Sequence, residues 1–319
     1  MTHSSHSPGL YPETSALRSW RLPVEGGHDL QVREWGNPSG IAALVLHGGP
    51  GSGCSPMQAR FFDPARYRVI CIDQRGAGAS RPAGGTLHNS TADLLADLRR
   101  LRQALAVERW LVFGGSWGAT LALLHAIDDP TAVTGLLLRG VFLARAQDLA
   151  SFFKPQAWAP WQRERGSLVD ALDDVMQTGT AAEQAELVQH WWRWEQAMDA
   201  EPNAPNAPAE PALSGAPLDV LLQRYRVQAH YLRHLCWLEA PPLLDRLDGL
   251  PQVPLRLLHG TLDRICRPSG AVAVQHRLPA AEVQWVEGAG HAPTHPAMAA
   301  ALVSALDAWA SEGSFGATA

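Results

Sequence analysis

A serine that acts as a nucleophile needs a histidine to take its proton and an acid to orient that histidine. The segment Gly114-Gly115-Ser116-Trp117-Gly118 fits G-x-S-x-G. Glycines at the flanking positions permit a sharp strand-to-helix turn, which lifts a serine hydroxyl above a sheet and sets it at a helix N-terminus. The pentapeptide alone also describes an ordinary glycine turn. Its surroundings favour the nucleophile: residues 111–113 read as a strand and residues 119–127 suit a helix. Of thirteen histidines, His291 stands in Gly288-Ala289-Gly290-His291, directly after a strand-like run. Asp263 follows another such run, residues 255–258. Taken singly, Asp263 reads equally as a turn residue and His291 as a satisfied loop histidine. Taken together, in the order Ser116, Asp263, His291 and after successive strands, they read as nucleophile, acid and base. The oxyanion formed during acyl transfer needs two backbone N–H donors. Trp117, directly after the serine, is one candidate. Gly49, in His47-Gly48-Gly49-Pro50-Gly51, is the other, and this loop also forms a tight turn.

Such residues need a rigid frame. Short apolar runs occur at residues 42–46, 67–72, 110–113, 133–138, 255–258 and 283–286, several of them closed by glycine and that at 67–72 by Asp73. They read as strands buried on both faces. Helical patterns lie between them. Leu94, Leu95, Leu98, Leu101 and Leu105 share one face behind a Ser90 or Thr91 cap, and Leu302, Leu306 and Trp309 form a stripe near the end. Strands alternating with helices imply a mostly parallel sheet covered on both sides. The pattern breaks at residues 144–240, which are helical in character and hold six of the twelve tryptophans: Trp158, Trp161, Trp191, Trp192, Trp194 and Trp237. Within this stretch, residues 202–217 are rich in Pro and Ala and read as a loop. The fold class expected is an α/β-hydrolase core of residues 1–143 and 241–319, with residues 144–240 inserted as a helical lid.

Composition narrows the function. The 319 residues, 46% of them hydrophobic, suffice for a large core. The net charge of −5 and the lack of a basic stripe argue against nucleic acid. Cys54, Cys71, Cys236 and Cys266 lie far apart and read as free thiols in a reducing, cytoplasmic compartment. Apolar runs are too short to span a bilayer, and the N-terminal segment lacks a signal-peptide core. His3, His6 and His28 sit in polar sequence and read as solvated; His125 reads as a structural histidine within a helix. Ligand spacing for a metal and a phosphate loop are both lacking, so no metal or other cofactor is expected.

Four segments carry a more specific resemblance: Leu46-His47-Gly48-Gly49-Pro50-Gly51, Asp73-Gln74-Arg75-Gly76-Ala77-Gly78-Ala79-Ser80, Gly114-Gly115-Ser116-Trp117-Gly118 and Gly288-Ala289-Gly290-His291. In these the chain resembles the proline iminopeptidases, or prolyl aminopeptidases, from about residue 22 to residue 309. The resemblance implies release of an N-terminal residue, typically proline, from a short peptide or amino-acid amide. Trp191-Trp192-Arg193-Trp194-Glu195 is similar to the family's W-x-x-W-E segment, whose glutamate binds the substrate ammonium. Without the resemblance, Glu195 reads as a solvated helix glutamate. Arg139 and Phe142 match an L-R-G-x-F segment at the entry to the lid. Phe142 lines the pocket for the proline ring on this reading and packs in the core on the plainer one. Cys266 matches a position near the site.

The chain departs from the family at three points. Gln228 stands where the family's E-x-H-Y segment has a second glutamate, Thr261-Leu262 precede Asp263 in place of Arg-Tyr, and Arg267 separates Cys266 from Pro268. The triad is untouched, and selectivity for proline is expected to relax. A related esterase or amino-acid amidase is the main alternative, favoured by Gln228 and opposed by the W-x-x-W-E segment. Epoxide hydrolases and dehalogenases of this fold carry aspartate where Ser116 stands. A non-catalytic binding protein would be signalled by a lost triad member, and none is lost. Oligomeric state is not legible.

Overall fold

The computed structural model describes residues 9–164, 166–199 and 214–316. Among the described residues, eight strands form one sheet: β1 (Arg18–Pro23), β2 (Asp29–Gly36), β3 (Ile41–Leu46), β4 (Tyr67–Ile72), β5 (Trp110–Gly115), β6 (Val133–Arg139), β7 (Leu255–Gly260) and β8 (Glu282–Val286). Their order is β1-β2-β4-β3-β5-β6-β7-β8. β1 pairs antiparallel with β2 and β2 with β4, and the remaining pairs are parallel. In a strand, successive side chains point to opposite faces, and the core divides accordingly. Leu44, Leu46, Ile70, Ile72, Val112 and Leu136 pack with α1 (Thr91–Leu105) and α2 (Trp117–Asp128). Their neighbours Ala43, Val45, Val69, Cys71, Leu111 and Leu137 pack with Leu302, Leu306 and Trp309. Each fully buried leucine contributes about 1.5–3 kcal/mol relative to exposure. The stripe of α1 starts behind Ser90, whose hydroxyl accepts from Asp93 N at 3.3 Å.

Two strands escape a pattern search. β2 carries Gln31, Arg33 and Glu34 inside the sheet. Glu34 is neutralised by Arg68 at 2.6 Å and Arg33 by Asp73 at 3.1 Å, so charged residues occupy a buried strand as ion pairs. His28, expected in solvent, is 3% exposed, and its Nε2 bonds to Leu87 O at 2.8 Å. The expectation that every strand is covered on both faces fails at β8. It is one of the two edges of the sheet, and its Trp285 is 42% exposed.

Between β6 and β7 the chain is helical: α3 (Ala146–Phe152), α4 (Pro155–Trp158), α5 (Leu168–Thr178), α6 (Ala181–Asp199), α7 (Gly215–Arg233) and α8 (Leu243–Arg246). Five of its tryptophans belong to a separate core, and Trp237 packs against the main one. Trp158 meets Trp191 edge-on with ring centroids 5.6 Å apart, and Trp191 stacks on Tyr225 at 4.9 Å. Of the stretch 202–217, residues 202–213 lie outside the described residues. Residues 215–217 form the first turn of α7 rather than a loop, where proline lacks no N–H that the helix needs. α9 (Ser269–Arg277) and α10 (Pro296–Glu312) complete the chain.

His125 on α2 is fully buried, and its Nε2 accepts from Trp110 Nε1 at 3.0 Å. Burial pushes its pKa down to about 4. Between pH 6.5 and 4 the unfolded chain therefore binds a proton that the folded chain refuses. Stability falls as pH drops through that window, by about 3 kcal/mol from this group. Urea unfolding of His125→Gln, which retains an acceptor for Trp110, should show a slope against pH shallower by up to about 1.4 kcal/mol per pH unit.

Candidate active site

β5 ends at Gly115 and α2 begins at Trp117, so Ser116 alone makes the turn. Its φ of 58° and ψ of −125° are strained for a residue with a side chain; such conformations cost about 1–3 kcal/mol and persist where their surroundings enforce them. Here the enforcement comes from β6 and β3. Ser116 N donates to Arg139 O at 2.9 Å. A Cβ at Gly118 would lie 2.0 Å from Leu46 O, so a larger residue would push the elbow off β3.

Asp263 follows β7 and His291 follows β8, and the adjacency of these strands brings the two together. His291 Nδ1–H donates to Asp263 Oδ2 at 2.8 Å. Asp263 Oδ1 accepts from the N–H groups of Ile265 and Cys266 at 3.0 and 2.8 Å. Burial pushes the Asp263 carboxyl up, but His291, by charge and hydrogen bond, with His259 and Arg139, outweighs it and holds the pKa below the usual carboxylate value. The bond at Nδ1 leaves Nε2 of a neutral His291 free to accept a proton. Two further contacts hold the His291 backbone: Arg139 donates to its carbonyl, and its N–H donates to Asp199 Oδ1 at 3.0 Å. Arg139 is buried, which lowers its pKa, and it packs against Gly115. It thus links the histidine loop to the serine turn.

As the first residue of α2, Trp117 has an N–H that the helix itself cannot satisfy. Gly49, at φ 111°, lies on the facing loop and lines the cavity beside Ser116. Gln74 ties these two elements together. Its Nε2 donates to His47 O at 2.9 Å, its Oε1 accepts from the Trp117 indole at 2.9 Å, and its N–H donates to His47 Nε2 at 3.0 Å. Burial pushes the His47 pKa down, so one ring nitrogen accepts from Gln74 while Nδ1–H donates to Gly48 O at 2.9 Å. Gln74→Leu breaks this tie. If it sets the spacing of the two donors, kcat should fall by about tenfold to a hundredfold with little change in KM. Affinity for a prolyl boronate should fall in parallel. The neighbouring Asp73 is a strut: it accepts from Cys54 N at 2.7 Å and Ala79 N at 2.8 Å and pairs with Arg33.

A cavity of about 240 Å³ opens at Ser116 and His291 and runs under the helical segment. Glu195, Gln228, Arg139, Phe142 and Cys266 all line it. Glu195 is not a solvated surface residue. Its Oε2 accepts from Arg224 at 2.7 Å and from the Tyr225 hydroxyl at 3.0 Å, and its Oε1 faces Gln228 Nε2 at 3.4 Å. Phe142 both lines the cavity and packs against the two cores beside it. Cys266 Sγ lies 3.7 Å from Ser116 Oγ, and burial pushes its thiol pKa up. A bulky thiol reagent should therefore inhibit slowly, faster at higher pH, by filling the cavity. Cys266→Ala should be active and resistant; equal sensitivity in that variant would assign the inhibition to another thiol.

Arg224, Tyr225 and Asp199, and Asp148, which lines the cavity and pairs with Arg145 at 2.7 Å, were not anticipated from sequence. Arg224 and Gln228 are four apart on α7 and so share a face, which is a usable signal once Gln228 is suspected. Asp199 reaches His291 across 92 positions, and nothing local announces it.

Residues 43–295 match the alpha/beta hydrolase fold family, and the sheet, elbow and residue order are those of that class. A hydrolase from Pseudomonas aeruginosa superposes with a TM-score of 0.65 at 19% identity, covering 92% of this chain and 99% of that one. A Rhodococcus esterase does so at 0.62 and 20%, covering 93% and 99%. These likenesses show the fold. Among sequence relatives, a proline iminopeptidase of Xylella fastidiosa is 35% identical over 94% of this chain and 99% of its own. The proline iminopeptidase of Arabidopsis thaliana is 36% identical over 93% and 80%. The chain belongs to the proline iminopeptidase family of α/β-hydrolases. Among the described residues no helix is long and apolar enough to cross a membrane.

Proposed function

We propose that this protein is a serine aminopeptidase that releases N-terminal proline, or a similar small residue, from short peptides or amino-acid amides. One juxtaposition carries the reading: Ser116, His291 and Glu195 line the same cavity. Ser116 Oγ attacks the scissile carbonyl as His291 Nε2 takes its proton. The N–H groups of Gly49 and Trp117 hold the oxyanion. The C–N bond then breaks, the amine leaves with the proton from His291, and the acyl group remains as an ester on Ser116. Water, deprotonated by His291, hydrolyses that ester and regenerates the serine. Asp263 fixes the imidazole tautomer and stabilises its charged form. Glu195 anchors the free amino group, and Phe142 and Cys266 wall the acyl pocket. Residues 144–240 act as a lid over a core of residues 1–143 and 241–319. The four unpaired thiols support a cytoplasmic site of action.

The relatives' names and the W-x-x-W-E segment favour aminopeptidase over esterase. A panel of prolyl, alanyl and N-acetylprolyl amides with simple acyl esters tests this. Preference for the free-amino amides supports the proposal, and turnover of esters alone would replace it with the esterase reading.

A further inference from the structure

Glu195 does not face the cavity alone. Arg224 Nη2 sits 2.7 Å from its Oε2, and both side chains line the cavity with Ser116. Burial works against the Arg224 charge, but Glu195 outweighs it and raises the guanidinium pKa, so the cation persists there. One turn further along α7, Gln228 is 7% exposed and also lines the cavity. Its Oε1 has no hydrogen-bond partner among the described residues, nor has Arg224 Nε.

The electrostatic consequence follows from proximity. The Glu195–Arg224 pair carries no net charge; of the other charged groups lining the cavity, Asp148 is paired with Arg145 at 2.7 Å and Arg139 is a second cation. An entering ammonium must share Glu195 with Arg224 and meets a like charge with little water between them. An uncharged acyl group meets no such repulsion. We propose that Arg224 is a specificity-determining residue: by occupying Glu195 it admits uncharged acyl groups alongside free-amino ones. This rests on the reading of Glu195 as the amino-end anchor.

The test is the ratio of kcat/KM for prolyl amide over N-acetylprolyl amide, measured in wild type, Arg224→Met, Glu195→Gln and the double variant. Arg224→Met should raise the ratio by about tenfold or more, chiefly through a lower KM for prolyl amide. In the Glu195→Gln background the same change should have little effect. If Arg224→Met is not folded by circular dichroism, Arg224→Gln removes the charge while keeping a donor, and it carries the same expectation. A ratio that stays level or falls on loss of Arg224, while Glu195→Gln lowers it, overturns the inference and leaves the anchor intact. A ratio untouched by Glu195→Gln overturns the anchor itself.

Discussion

Ser116→Ala is expected to fold normally and to lose nearly all turnover, by about 10⁴–10⁶ in kcat. The strain at its φ of 58° is a backbone property, and alanine keeps the Cβ, so the elbow is retained. On the proposed mechanism, what is lost is the oxygen that forms the ester. His291→Ala should cost about as much, because a nucleophile without its base is an ordinary hydroxyl. The double variant should be little worse than either single, since the residues act as a unit. Product formation measured under saturating prolyl amide, with thermal unfolding as a control for folding, decides the matter. Substantial activity in folded Ser116→Ala would remove the mechanism altogether.

Glu195→Gln should lower kcat/KM for free-amino substrates by roughly two to three powers of ten. The carboxylate lies in a confined cavity, and losing one partner of a desolvated ion pair costs about 3–5 kcal/mol. Neutral esters, which present no ammonium, should change far less. The same substitution strips Arg224 of its counter-ion, so some loss of stability should accompany it, and folded fraction must be measured alongside rate. Gln228→Glu adds a second carboxylate beside Glu195 and should shift preference toward the free amino terminus. An unchanged ratio of amide to ester in Glu195→Gln would sink the aminopeptidase reading.

What could be read from sequence follows the physics of each feature. The central strands were legible because they are buried on both faces and must be apolar. β1 and β2 were not, because β1 is an exposed edge and β2 buries its charges as pairs with Arg68 and Asp73, which lie far off in sequence. The elbow was legible because steric crowding forces glycine at Gly118. Ser116, Asp263 and His291 were named from their order after successive strands, and the structure brings Asp263 and His291 into contact. Glu195 was named through family resemblance, since a glutamate on a helix carries no mark of burial. The Arg224 beside it went unseen because an arginine on a helix reads as surface charge. Arg139 was named through the L-R-G-x-F match; in the structure it braces the His291 loop, a contact that rests on the adjacency of β6, β7 and β8.

The most direct test of the account is to trap the acyl-enzyme. The protein is mixed with an activated prolyl ester, quenched in acid within milliseconds to seconds, digested and analysed by mass spectrometry. The account predicts a prolyl group on the peptide containing Ser116, lost on longer incubation as water completes the cycle and undetectable in Ser116→Ala. A prolyl adduct carried by a different residue during turnover would contradict it.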